Sequence, residues 1–263
     1  MSMSVSNVTE ILQDLPDLEQ DQNIVLSYSG GFDSTILLYT LVERYGSDKV
    51  KALSFNYGQR HDIELDMASL NTKALGVEHH ISAMPFLGDM VRGVSALVAD
   101  SDIDVPSYKD VSGDPQPVTY IPNRNMIFFS VTAAFAESHN APYALLSVNA
   151  TDLYGYWDTT PEFVDRINNV LQLNRKNQIK FLAPFNDFYK EDEALVAKEL
   201  STLFGRDILE HTWSCYNGAA YDAHEKKECG DCPTCREKII GLLAAGYGEE
   251  YIKNKFVTYK ESV

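Results

Sequence analysis

The sequence predicts an α/β fold: a doubly wound parallel sheet, followed by a C-terminal helical region that carries a four-cysteine metal knuckle. Three observations lead there. Strand-like and helix-like segments alternate as β-α-β-α-β through the first 81 residues, the pattern of a parallel sheet wrapped by crossover helices. A glycine turn, Ser29-Gly30-Gly31, joins the first strand to the first long helix. All four cysteines fall between positions 215 and 235.

Residues 1–22 are polar and acidic, with a weak amphipathic pattern through Ile11, Leu12, Leu15 and Leu18, and read as a short helix or a loose arm. The apolar run Ile24-Val25-Leu26 is the first strand, and the helix that starts around Ser34 stops at Gly46-Ser47-Asp48. Residues 50–55 (VKALSF) form the second strand, and 57–61 (YGQRH) a loop at its carboxyl end. Residues 63–75 have helical spacing before Gly76, and 77–81 form the third strand. Ligands of such sheets sit beyond the carboxyl ends of the strands, where both the glycine turn and YGQRH fall. Residues 82–118 are less regular, and 100–117, rich in Asp, Ser, Gly and Pro, read as a long loop of the kind that serves as a lid or binding element. A helix over 126–139 follows Pro122-Asn123-Arg124-Asn125 and is apolar nearly all round near its start, which predicts burial. Then come a fourth strand over 143–148, a helix over 161–173 opened by Pro161, a short strand over 179–184, and an amphipathic helix over 190–204 closed by Gly205.

The stretch 24–39 (IVLSYSGGFDSTILLY) organises the rest. Two glycines allow a tight turn, and the N–H groups of the turn and the first helical turn then converge at the positive end of a helix dipole. That arrangement suits an anion such as pyrophosphate. A Walker loop would follow its glycines with Lys; here Asp33 and Ser34 stand instead. An Asp there can hold Mg²⁺ against phosphate oxygens, and a Ser hydroxyl can donate to one. The plain alternative is a strand-to-helix turn capped by Asp33 and Ser34. The order Ser-Gly-Gly-x-Asp-Ser resembles the PP-loop of the ATP pyrophosphatase superfamily, whose members cleave ATP between its α- and β-phosphates.

The totals narrow the field. The chain has 263 residues, 44% of them hydrophobic, enough for a sizeable core. Its net charge of −16 argues against a broad nucleic-acid face and for a small-molecule substrate. No apolar run is long enough to span a bilayer, and no signal sequence is evident, so a cytoplasmic protein without membrane contact is expected. In a reducing compartment, clustered cysteines mean metal rather than disulfides. Cys215, Cys229, Cys232 and Cys235 give C-x13-C-x2-C-x2-C, with Gly230 to permit the turn between ligands. Four thiolates in a tetrahedral array mean structural Zn²⁺; an iron–sulfur cluster is the competing metal reading, and buried free thiols the bland one. His211 and His224 read as surface or capping residues. The expected division is an acidic arm over 1–23, a nucleotide-binding α/β domain over 24–205 and a zinc-binding helical region over 206–263.

The glycine turn, YGQRH, Tyr120-Ile121-Pro122-Asn123-Arg124-Asn125, Gly155-Tyr156-Trp157-Asp158, and Ser214-Cys215-Tyr216 before the terminal CxxCxxC occur in that order. Together, over about 24–241, they resemble the 7-cyano-7-deazaguanine synthase family of the queuosine pathway. The resemblance implies a Rossmann-like core of the adenine-nucleotide α-hydrolase type, one zinc on the four cysteines and a homodimer. It implies conversion of 7-carboxy-7-deazaguanine, ammonia and ATP to the nitrile. On the residues, Tyr28, Ser29, Gly30, Gly31, Phe32, Asp33, Ser34, Thr35, Ile36, Leu37 and Leu38 would form the ATP segment, with Asp33 helping to bind Mg²⁺. Arg124 is a candidate to neutralise the α-phosphate or the substrate carboxylate, or else an ion pair capping its helix; with Asp33 and Ser34 it makes up the expected catalytic set. Gln59 and Arg60 could bond the ring or phosphate, and Asp152 and Asp158 the ring's amidine-like edge.

The chain departs from the family at Tyr156-Trp157-Asp158-Thr159-Thr160, where many relatives carry Tyr-Pro-Asp-Cys-Arg, and at Asn56, where Asp is common. The first departure leaves open whether the product is the nitrile or the intermediate amide. A tRNA-thiolating PP-loop enzyme would need a basic face and a reactive cysteine outside the metal set. A binding or scaffold protein on the same core would keep the zinc cysteines while losing Asp33 or Ser34, and both are present.

Overall fold

The structure, a computed structural model, describes residues 8–111, 116–150, 156–218 and 227–258. Five strands form one wholly parallel sheet: β1 (Ile24–Ser27), β2 (Val50–Asn56), β3 (Glu78–Ala83), β4 (Tyr143–Leu145) and β5 (Lys180–Leu182), in the order β3-β2-β1-β4-β5. Ile24 pairs with Val50 on one side and Tyr143 on the other. The winding therefore reverses at β1, and the crevice beyond the carboxyl ends of β1 and β4 is where such sheets take ligands.

Strand periodicity sorts the core. Ile24 and Leu26 of β1 pack into one cluster with α2 (Phe32–Tyr45) and α8 (Lys190–Phe204), while Val25 packs into a second with α6 (Arg124–Ser138) and α7 (Pro161–Leu171). Alternate residues of a strand face opposite sides, so the two clusters are the two faces of the doubly wound sheet. The helix over 63–75 is α3 (Ile63–Leu75), with its C-cap at Gly76.

Several elements differ from the sequence reading. Of the two readings of the arm the structure shows the short helix, α1 (Val8–Asp14), and it is packed rather than peripheral, with Val8, Ile11 and Leu15 buried in the same cluster as α2 and α8. The region 82–118 holds α4 (Pro85–Val91), which starts on its own Pro and buries Leu87 and Val91, and the single turn α5 (Tyr108–Val111). Helix α6 is less buried than its apolar start predicts. Phe129, Thr132, Ala133 and Ala136 face inward, whereas Met126 is exposed, because only one side of the helix meets the sheet. The chain ends, within the described residues, in α9 (Pro233–Ala244) and α10 (Glu249–Lys255), and α9 packs along α8.

Candidate active site and metal centre

The glycine turn sits at the carboxyl end of β1. Gly30 has φ +86°, and a Cβ there would lie 2.2 Å from the Glu64 carbonyl oxygen and 2.8 Å from the Ala68 nitrogen, so the first turns of α3 rest directly on it. Gly31 occupies the N-cap position of α2. The Gly31 N–H donates to Ser29 Oγ (3.1 Å), the Phe32 N–H donates to Ser214 Oγ (3.0 Å), and the Ser29 and Ser34 hydroxyls lie 2.9 Å apart. Neutral hydroxyl oxygens thus accept from amides that, at a helix N-terminus, suit an anion better.

A cavity of about 260 Å³ opens beside this turn, over the β1/β4 switch point. Charged side chains reach its walls from five helices, Glu237 coming from α9. Asp33 is in the first turn of α2, Glu64 in the first turn of α3, Arg124 at the start of α6 and Lys190 at the start of α8. Lys190 Nζ pairs with the Asp33 carboxylate and lies 3.4 Å from Glu193. Arg124 Nε donates to Asn125 Oδ1 (3.2 Å), and its guanidinium lies 5.8 Å from the Phe128 ring centre. Glu64 Oε1 accepts from Gln59 Nε2 (3.1 Å) and sits 3.6 Å from His61 Nε2. Burial pushes the Glu64 carboxyl up to about 8, against the opposing pull of the Gln59 hydrogen bond and Arg124. Burial, reinforced by Arg124 and Arg60, lowers His61 to about 3, so its ring is neutral. Burial thus holds the Glu64 carboxyl towards its neutral form, which leaves the Arg124 guanidinium beside the turn less opposed by negative charge and suited to an added anion.

The cysteines converge as their spacing requires. The four Sγ atoms lie within 4.8 Å of one another, all four residues are buried, and Cys229 Sγ is 3.8 Å from Cys235 Sγ. Four sulfurs about 2.3 Å from one tetrahedral ion stand about 3.8 Å apart, so the set fits a single four-coordinate metal. Backbone N–H groups of Cys229, Asp231 and Cys232 point at the sulfurs from 3.4 Å, which favours thiolates. The knuckle also reaches the cavity. The buried Glu228 carboxylate takes the Ser214 and Cys215 N–H groups (2.6 and 2.9 Å) and pairs with buried Lys238 at 2.7 Å. That clamp holds the segment in which Trp213 N–H donates to Gly30 O (3.2 Å) and Ser214 accepts from Phe32.

The model of the family described as "Queuosine biosynthesis protein QueC" matches residues 23–246. The chain belongs to the QueC family. The 7-cyano-7-deazaguanine synthase of Persephonella marina is 32% identical over 246 residues, covering 90% of this chain and all of that protein. The enzyme of the same name from Aquifex aeolicus is 36% identical over 236 residues, covering 86% of this chain and all of that protein. Among solved structures, the U34-tRNA thiolase NcsA from Methanococcus maripaludis, with its [4Fe-4S] cluster, superposes with a TM-score of 0.50 at 15% identity, over 94% of this chain and 78% of that one. That likeness concerns the fold alone.

In this QueC-family chain the structure gathers some of the sequence-predicted residues and disperses others. Tyr28, Ser29, Gly31, Phe32 and Asp33 line the cavity, and Ser34 bonds to Ser29 at its edge. Gly30 faces α3 instead, and Thr35, Ile36, Leu37 and Leu38 are buried along α2. Arg124 lines the cavity. Gln59 is buried one layer out: its Oε1 accepts from the Tyr57 N–H (3.0 Å) and its Nε2 donates to Phe55 O and Glu64. Arg60 turns away, its guanidinium on the carbonyls of Ser101 and Ile103 (2.7 and 3.1 Å). Asp158 is buried behind Asn125, whose N–H donates to its Oδ2 (3.3 Å). Asp152 lies outside the described residues. The sequence reading passed over Glu64, Lys190 and Ser214. Each stands at the edge of a recognised segment, but only folding shows that the three edges meet.

Proposed function

We propose that this chain makes 7-cyano-7-deazaguanine from 7-carboxy-7-deazaguanine, ammonia and ATP, in 7-deazaguanine and queuosine biosynthesis. The observation that carries the reading is the meeting, in one cavity, of an anion-suited helix N-terminus with two cations delivered by separate elements, Arg124 and Lys190. The names of the relatives supply the substrate class.

A carboxylate is a poor acylating group, because hydroxide does not leave. Transfer of AMP to it creates a mixed anhydride, ammonia displaces AMP to give the amide, and a second ATP activates the amide oxygen so that loss of AMP leaves the nitrile. The residues position partners and balance charge. Ser29, Gly31, Phe32 and Ser34 take phosphate oxygens, the serines turning from their mutual bond to the ligand. Arg124 meets the α-phosphate or the carboxylate bidentately. Asp33 would hold Mg²⁺, which neutralises phosphate charge when bound, and Lys190 keeps that carboxylate placed beforehand. Zn²⁺ is the metal we assign to Cys215, Cys229, Cys232 and Cys235; it closes the knuckle that presents Ser214. Residues 24–205 then form the nucleotide-binding unit and 206–263 the metal-bearing one, in a cytoplasmic homodimer.

Thr159 lines the cavity where relatives resembling this chain carry Cys, and Thr160 caps α7 by accepting from the Phe163 N–H (3.2 Å). A reaction that stops at the amide is therefore the second reading. Incubation of the purified protein with the acid, ammonium and Mg-ATP, followed by mass spectrometry, separates them. Nitrile with AMP and pyrophosphate is expected. Amide alone moves the protein to the one-step reading, and an unchanged acid refutes both.

A further inference from the structure

We propose that the Glu64 carboxylate is the base that removes protons from the reacting nitrogen, with Gln59 as its positioning residue. The inference rests on the proposed reaction. When the ammonia lone pair forms the C–N bond to the activated carbon, the nitrogen becomes cationic. The C–O bond breaks with its electron pair going to AMP, and the nitrogen must release a proton to give the neutral amide. In the second half the amide oxygen displaces pyrophosphate from ATP, two further protons leave the nitrogen, their N–H pairs become C–N bonds, and AMP departs with the C–O pair. One nitrogen gives up three protons in one cavity, and a fixed acceptor beside the phosphate turn serves all three transfers.

Glu64 has that position. Its backbone carbonyl is the atom packed on Gly30, so its side chain is anchored to the phosphate turn itself. Gln59 fixes the carboxyl orientation. Because the Gln59 oxygen takes the Tyr57 N–H, its amide nitrogen must point at Phe55 O and at Glu64 Oε1. Among the described residues Oε2 accepts no hydrogen bond from the protein, and the side chain borders the cavity. The groups facing it are Arg124, His61, Asp62 and Tyr57. Of the other cavity groups, Asp33 is paired with Lys190, Arg124 cannot accept a proton, Tyr57 is pushed up to about 12 by burial, and Glu237 stands on a separate element, α9. His61 has its Nδ1 buried without a partner among the described residues. A carboxyl pushed up to about 8 is a much stronger base than an exposed one and is matched to a nitrogen acid near neutral pH.

The test compares wild type, E64Q, E64D and E237Q, the last altering another carboxylate of the cavity wall. Acid-dependent exchange of pyrophosphate into ATP reads adenylation, which removes no proton from nitrogen; mass spectrometry reads amide and nitrile. E64Q should keep exchange and acid affinity within about threefold and melt no lower than wild type, while amide and nitrile formation falls by about 10²–10⁴-fold. E64D should retain part of the rate and the rising pH limb towards pH 8 that E64Q loses. E237Q should retain the rising pH limb towards pH 8, whatever its rate. Nitrile formation by E64Q within about threefold of wild type overturns the proposal, as does a loss of that limb confined to E237Q, or an E64Q defect that appears equally in exchange and acid binding. A wild-type protein that leaves the acid unchanged instead refutes the reaction itself.

Discussion

Replacing Gly30 by Ala tests the contact on which the site is built. Gly30 adopts φ +86°, and the new Cβ would fall 2.2 Å from Glu64 O, 2.8 Å from Ala68 N and 3.0 Å from Ala68 Cβ. Two of these are backbone atoms of a helix, so no rotamer change relieves the clash; α3 must move off the turn. The left-handed backbone costs an L-residue about 1–2 kcal/mol, and forcing an extra carbon into a packed contact costs about 1–3 kcal/mol more. A loss of about 2–5 kcal/mol should lower the melting temperature by roughly 5–15 °C in a domain of this size. Circular dichroism melting reports the first effect and titration with ATP the second, since the displaced turn no longer offers its amides together. A melting point within about 2 °C of wild type with unchanged ATP affinity would refute the packing of α3 on the turn.

Glu228→Gln leaves Lys238 charged and buried without its partner, and loosens the two N–H groups that Glu228 holds. A loss of about 3–5 kcal/mol in denaturant unfolding is expected, with Lys238→Met in the same background restoring part of it. Glu64 also predicts a pH effect on stability. Its carboxyl is raised from 4.5 to about 8 on folding, so the native state binds more protons between those values and stability falls as pH rises through that window. E64Q should therefore match wild type near pH 4 and exceed it by about 2–5 kcal/mol at pH 8; a constant difference across that range contradicts the burial of the charge. Cys232→Ser should lose the metal, read as zinc per chain by elemental analysis, and lower the melting point; retained zinc with unchanged melting would defeat the assignment. Asp33→Ala should abolish ATP-dependent turnover with the fold intact by circular dichroism, and surviving activity would mean that Mg²⁺ is held elsewhere.

Periodicity and punctuation made much of the fold legible. The run Ile24-Val25-Leu26 before two glycines, and the clean helical spacings over 63–75 and 190–204, are local signals that local structure obeys. Where the reading failed, the deciding contacts were distant. The burial of Val8 and Ile11 depends on α2 and α8, and the exposure of Met126 depends on how much of α6 the sheet can cover. The loop YGQRH was correctly placed at a strand end, yet its side chains separate there. Gln59 and His61 turn in towards Glu64, and Arg60 turns out to Ser101 and Ile103, a choice made by neighbours more than forty positions away for Arg60.

The sequence by itself determined the groups whose chemistry is short-range: a turn that only glycine can make at φ +86°, the Asp and Ser that follow it, and four cysteines spaced for one ion. Such signals survive in a string of letters because their geometry is set within a few residues, or by a donor set that has few other uses. Tertiary structure alone decided which charges share the cavity. Glu64, Arg124 and Lys190 come from three helices that meet only because the winding of the sheet reverses at β1. The raised carboxyl of Glu64 exists only there as well, because it is produced by burial, and burial belongs to the packed whole rather than to any segment.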